Sequence, residues 1–210
     1  MTMKKFELTT ETKFVLGITF YRIRALITFG NVDAGELGGW IEKESNLSHD
    51  GDAWVSGNAR VYGNAWVYGN ARVYGDARVY GDAEVYGDAE VYGNAWVSGN
   101  AWVSGNARVY GNARVYGDAR VYGNAWVSGN AEVIKSLHLL TVGAIGSRNS
   151  VTTFFRTKDK QIKVSCGCFL GTIADFAEKV KKTHGNSKHA KTYALAIELA
   201  KAQIEDVEVN

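Results

Sequence analysis

Few side chains in this sequence could do chemistry, and most of them fall between positions 143 and 189. Cys166-Gly167-Cys168 with His184 and His189 offers four ligands of the types that hold zinc. Their spacing matches no recognised zinc pattern. Ile162, Val164, Cys166 and Cys168 also alternate as one face of a strand, which suits cysteines acting as small apolar core residues. No metal is expected. Gly143-Ala144-Ile145-Gly146-Ser147-Arg148-Asn149 has the glycines, hydroxyl and guanidinium of a phosphate-cradling loop, but no helix follows it to supply backbone donors. Ser147, Arg148 and Asn149, together with Arg156, Lys163, His184, Lys188 and His189, would build a cationic site for an anionic small molecule. The competing reading is a turn beside a solvated basic face.

The elements that must position these residues form a basic module. Residues 135–210 hold 12 Lys+Arg against 7 Asp+Glu, while the chain as a whole is only +2. Strands are expected near Leu137–Ile145, Val151–Arg156 and Gln161–Phe169, with Thr157-Lys158-Asp159-Lys160 as a hairpin turn. Thr172 opens a helix with Asp175 completing a capping box, and Gly185 ends it. Its apolar face is Ile173, Phe176, Ala177 and Val180. Ser187 caps a second helix. The module reads as α+β.

Before it stands the feature that decides the architecture. Fourteen consecutive hexapeptides of the form Gly-[Asn/Asp]-Ala-x-Val-[Tyr/Ser] run from Gly51 to Ile134. Ala and Val lie two apart, so they share the inner side of a strand, and x and Tyr/Ser face out. Gly followed by Asn or Asp turns a corner. Three such units close one 18-residue coil, and the array resembles the left-handed parallel β-helix of hexapeptide-repeat proteins. Steps of 18 sort the outer positions into three columns. These are Trp54, Arg72, Glu90, Arg108 and Trp126; Arg60, Arg78, Trp96, Arg114 and Glu132; and Trp66, Glu84, Trp102 and Arg120. Five Trp and nine Tyr outside an Ala/Val core leave a large aromatic surface, which either shields the sheets or joins subunits into a dimer or trimer through Trp66, Trp96, Trp102 and Trp126.

Ahead of the coils, Lys5–Leu8 and Phe14–Phe29 read as strands of an N-terminal β cap, and Leu47 to Val55 implies two extra residues near His49-Asp50. The expected division is a cap over 1–40, a solenoid over 41–134 and the basic module over 135–210. Mainly β with a small α+β end is the fold class. The resemblance to hexapeptide-repeat enzymes raises acyl transfer, but the coils hold no His, no Cys and no inserted loop. A γ-type carbonic anhydrase would need three coil histidines, and an ice-binding helix needs Thr arrays; neither is present between Gly51 and Ile134. No cofactor is expected, and no enzymatic activity, with a diverged acyltransferase as the remaining alternative. No apolar run approaches a membrane span, two Cys form no disulfide framework, and nothing matches a nucleic-acid motif, so a cytoplasmic protein is expected.

The whole chain is similar to a group of hexapeptide-repeat proteins found in phages, prophages and Firmicutes. The resemblance lies in Tyr21-Arg22-Ile23-Arg24-Ala25 leading to Gly38-Gly39-Trp40-Ile41-Glu42, in the hexapeptide array, and in Gly167-Cys168-Phe169 with Gly171-Thr172 and Thr183-His184-Gly185. It implies no catalytic residues, and implies that Cys166 is additional to the usual Cys168, which weakens the zinc reading. The phage setting implies a non-catalytic homo-oligomeric binding protein that sequesters an anionic nucleotide-like signal or blocks a host defence protein. The alternative is a self-assembling scaffold.

Overall fold

The computed structural model describes residues 4–207. Strands β1 (Phe6–Val15), β2 (Ile18–Ala25) and β3 (Leu37–Ile41) precede fourteen two-residue rungs, β4 (Trp54–Val55) to β17 (Glu132–Val133). The rungs are parallel and fall into three sheets in steps of three. Trp54 pairs with Arg72, Arg60 with Arg78, and Trp66 with Glu84, so the three outer columns stand in the order the 18-residue step gives. Rungs β4 to β14 each donate to the coil that follows, as in Trp54 N to Ala71 O at 2.9 Å. All fourteen Val-Ala pairs point inward and are buried, forming one continuous core.

The corners explain the invariant Gly. Gly69 has φ +70, and a Cβ there would lie 3.0 Å from the backbone N of Gly87 on the next coil. Only glycine tolerates both the torsion and that approach. The following Asn or Asp stacks outside the corner, and Asn64 Nδ2 donates to Asp82 Oδ1 at 3.0 Å and Asn100 Nδ2 to Asp118 Oδ1 at 3.1 Å. Tyrosines stack up the corners too, with centroids 4.8–5.0 Å apart in the Tyr74, Tyr92, Tyr110 ladder.

A parallel coil begins with a row of unpaired carbonyls, which must be met by donors. All three sides are met differently. β3 supplies Trp40 N to Ala59 O and Glu42 N to Val61 O, at 3.0 and 3.1 Å. Asn46 Nδ2 donates to Gly63 O and Ala65 O, at 3.1 and 2.8 Å. Lys5 Nζ donates to Gly51 O and Ala53 O, at 3.0 and 2.9 Å. Burial draws the Lys5 ammonium down to about 8. Trp40 pairs with Arg60 and Leu47 with Val67, both twenty residues apart, which is one coil plus the two extra residues near His49-Asp50.

Phe14–Phe29 is not one strand. Leu16 and Gly17, at φ 53 and 82, turn the chain into the β1–β2 hairpin. The alternation of Ile23 and Ala25 inward against Arg24 outward holds within β2.

At the other end, Leu139 and Phe155 join the coil core and plug it. β18 (Leu139–Ile145), β19 (Ser150–Arg156), β20 (Ile162–Cys166) and β21 (Phe169–Thr172) form an antiparallel sheet in that order. Helices α1 (Ile173–His184) and α2 (Lys188–Gln203) cover one side, with Phe154, Val164, Phe176, Val180, Tyr193 and Ile197 in a second core. Thr172 and Asp175 make the capping box, Gly185 closes α1 at φ 54, and Ser187 Oγ caps α2. Gln161–Phe169 is not one strand either. Gly167, at φ 59, turns the chain so that Cys166 faces Phe169 and Cys168 is exposed at the tip, not in the core. No helix among the described residues is long and apolar enough to cross a membrane.

Candidate functional site

The β18–β19 turn, the β20–β21 turn and the facing sides of α1 and α2 enclose a cleft of about 170 Å³. Ser147 and Arg148 come from the first turn, Cys166, Gly167 and Cys168 from the second, Lys179, Thr183 and His184 from α1, and Tyr193 from α2. Gly146 is what lets the first turn close over the helices. Its φ is +76, and a Cβ there would collide with the Tyr193 hydroxyl. A Cβ on Gly167 would lie 3.2 Å from Arg148 Nη1, so the guanidinium leans across the second turn.

Tyr193 is the buried floor. Its hydroxyl lies 3.7 Å from Cys166 Sγ, which also accepts from Thr152 Oγ1 at 3.3 Å. Burial first, then the contact with the thiol, push the Tyr193 phenol up to about 12, while the neighbouring Arg148 pulls the other way. The phenol therefore stays neutral and able to donate at any ordinary pH. The lining holds a guanidinium, an ammonium and an imidazole, and no carboxylate. Such a set can orient and neutralise an anion.

The eight residues grouped by charge and polarity do not form one site. Ser147, Arg148 and His184 line the cleft. His189 stands behind His184, ring centroids 5.7 Å apart. Asn149 faces a different hollow of about 330 Å³, between the module and Trp126 of the last coils. Lys188 is exposed at the first turn of α2 and does not line the cleft. Arg156 and Lys163 are spent on joining the module to the coils. Arg156 Nη1 meets Glu132 Oε2 at 2.8 Å with both side chains largely buried, and Lys163 Nζ donates to Asn130 Oδ1 at 2.9 Å. Sequence reasoning missed Lys179 and Tyr193. Neither carries a signal in the sequence: Lys179 is one of three lysines in its helix with Lys181 and Lys182, and Tyr193 shares helical spacing with Ile197, Ala200 and Ile204.

The aromatic columns differ in cover. Trp96 lies between Arg78 and Arg114, at 4.9 and 4.6 Å, and Trp126 lies under Arg108 at 5.2 Å. Trp66 and Trp102, on the same face, are 42% and 36% exposed.

Seven stretches, residues 53–69, 65–81, 71–87, 89–105, 101–116, 107–121 and 113–129, match the family model described as the YdcK beta solenoid repeat, in two overlapping runs over 53–87 and 89–129. The chain is a β-solenoid repeat protein. The matched stretches lie wholly within the coils of the β-solenoid and none reaches the cleft, so the similarity concerns the scaffold and assigns no chemistry. No curated protein matches the chain.

Proposed function

We propose that this β-solenoid protein is a non-catalytic binding protein that holds an anionic group in the cleft between Arg148, Lys179 and His184. One observation carries the reading: every charged side chain lining the cleft is basic or can become so, and none is acidic. At about 170 Å³ the cleft is smaller than the ~300–1,000 Å³ of ordinary small-molecule sites. It suits the phosphate end of a nucleotide-like ligand, with the remainder on the surface beside the β18–β19 turn. The coils serve as a rigid support, and homo-oligomerisation proceeds through the Trp66–Glu84–Trp102–Arg120 face. The setting, taken from the resemblance of the whole chain, is a phage or prophage protein in its host's cytoplasm, where it withholds a nucleotide-like signal.

Calorimetric titration with inorganic phosphate and with AMP tests this. Binding is expected in the parent protein, weaker at raised salt, and reduced by at least about tenfold in Arg148→Ala, the worth of a hydrogen bond to a charged group. Equal affinity in Arg148→Ala would remove the cleft from consideration. The blocking of a host protein is the second reading, favoured by the exposure of Trp66 and Trp102 on one face.

A further inference from the structure

At the far end of the molecule from this cleft, a hollow of about 260 Å³ opens on the first coil beneath the 30–36 loop, lined in part by Glu36, Trp54, Ser56, Arg72, Tyr74 and Glu90. One residue accounts for it. The final hexapeptide position of this column reads Ser56, Tyr74, Tyr92, Tyr110 up the coils, and the three tyrosines stack at 4.8 and 5.0 Å. Ser56 stands where the next ring would lie. The ladder stops one rung short and leaves that volume open.

Two donors in the lining are unmet. Trp54 is 5% exposed and packs edge-on against Phe29 at 5.4 Å, and its indole Nε1 has no hydrogen-bond partner among the described residues. A buried donor left so costs about 1–3 kcal/mol. Arg72 is the second. Of the six arginines in the fourteen hexapeptides, Arg60, Arg78, Arg108, Arg114 and Arg120 each lie over an aromatic ring. Arg72 is half-buried, and its guanidinium has no ring, carboxylate or other hydrogen-bond partner among the described residues. Its cross-strand neighbour Glu90 is engaged elsewhere, accepting from Tyr74 OH at 3.0 Å and pairing with Arg108 at 3.4 Å.

The carboxylates of Glu36 and Glu90 decide the ligand class. They would repel a phosphate or a dicarboxylate, yet they complement a cation held close to a single negative group. We infer that this hollow binds a free α-amino acid, independently of the anion cleft. The carboxylate of the amino acid meets Arg72 and the Ser56 hydroxyl, its ammonium lies toward Glu36, and the Trp54 ring forms a wall beside it. A volume of about 260 Å³ accommodates a molecule of that size, and the two carboxylates rather than the volume turn away a nucleotide's phosphates.

Proton–nitrogen NMR of the six tryptophan indoles reads this directly, with the Trp54 signal identified by Trp54→Phe. The twenty L-α-amino acids are titrated one at a time, and any that binds is compared with its analogue lacking the amino group. A saturable shift of the Trp54 signal is expected for at least one, weakened roughly 10- to 100-fold in Arg72→Gln. Ser56→Tyr restores the missing ring, so it abolishes the shift and leaves the coil folded. No saturable shift with any amino acid would overturn the site, as would a shift that survives Ser56→Tyr. Equal affinity for the analogue would overturn the zwitterion.

Discussion

Arg148 and Arg156 carry the same charge on neighbouring stretches of one module and do unlike work. Arg156 is inside, with Nη1 on Glu132 and Nε donating to Asp206 O at 3.1 Å. Arg156→Ala strands the half-buried Glu132 carboxylate and is expected to lower stability by about 3 kcal/mol, measured by chemical denaturation. Arg148→Ala, on an exposed turn, is expected to stay within about 0.5 kcal/mol of the parent. The sequence could not separate the two, because a count of basic residues says nothing of which one a later strand folds over. Lys5 offers a pH signature. Its folded value, about 8, lies below the ordinary 10.5 of an unfolded lysine, owing to burial against the Gly51 and Ala53 carbonyls. Between those values the unfolded chain binds more protons than the folded one, so stability from this group rises as pH increases from about 8 toward 10.5. The difference in melting temperature between the parent and Lys5→Met should therefore change across that window; a constant difference would show that Lys5 titrates normally.

At the scale of elements, the corner ladders show how a repeat this regular avoids repelling itself. In the three columns of the second hexapeptide position no Asp lies directly above another Asp. The third column reads Asn64, Asp82, Asn100, Asp118. Adjacent coils stand about 4.8 Å apart, a separation at which two carboxylates repel by about 1 kcal/mol in water. Asn100→Asp would place three carboxylates in line and is expected to cost about 1–2 kcal/mol at low salt, much of it recovered at high salt. Denaturation at both ionic strengths checks this. The rungs were legible because every hexapeptide states the same pattern, and the helix caps at Thr172, Gly185 and Ser187 because each has a specific chemical signature. The two tight turns were not. Leu16 is apolar yet 92% exposed at a hairpin tip, and only Gly17 beside it hints at a turn. Cys166-Gly167-Cys168 keeps the period of a strand in sequence although the chain reverses at Gly167. The cleft was half legible for the same reason: it is assembled from that unseen turn, the β18–β19 turn and two helix faces.

The molecule as a whole is a prism capped at one end by the N-terminal strands and plugged at the other by Leu139 and Phe155. Lys5, Asn46 and β3 take up the carbonyls of the first coil on all three sides, so a second copy cannot simply stack onto that end. The sides remain for assembly, and the face with exposed Trp66 and Trp102 alternates these with Glu84 and Arg120. Two copies related by a two-fold axis at Trp102 would set Glu84 of each against Arg120 of the other, a self-complementary pattern. Such an assembly would carry the clefts on a rigid frame. Native mass spectrometry of the protein purified from cells, beside Arg148→Ala, tests that arrangement most directly. The account predicts a symmetric oligomer that carries a small anionic molecule, released on denaturation, and an Arg148→Ala oligomer of the same number that arrives empty. An adduct retained by Arg148→Ala, or a parent protein with no adduct and no affinity for phosphate or AMP, would contradict it.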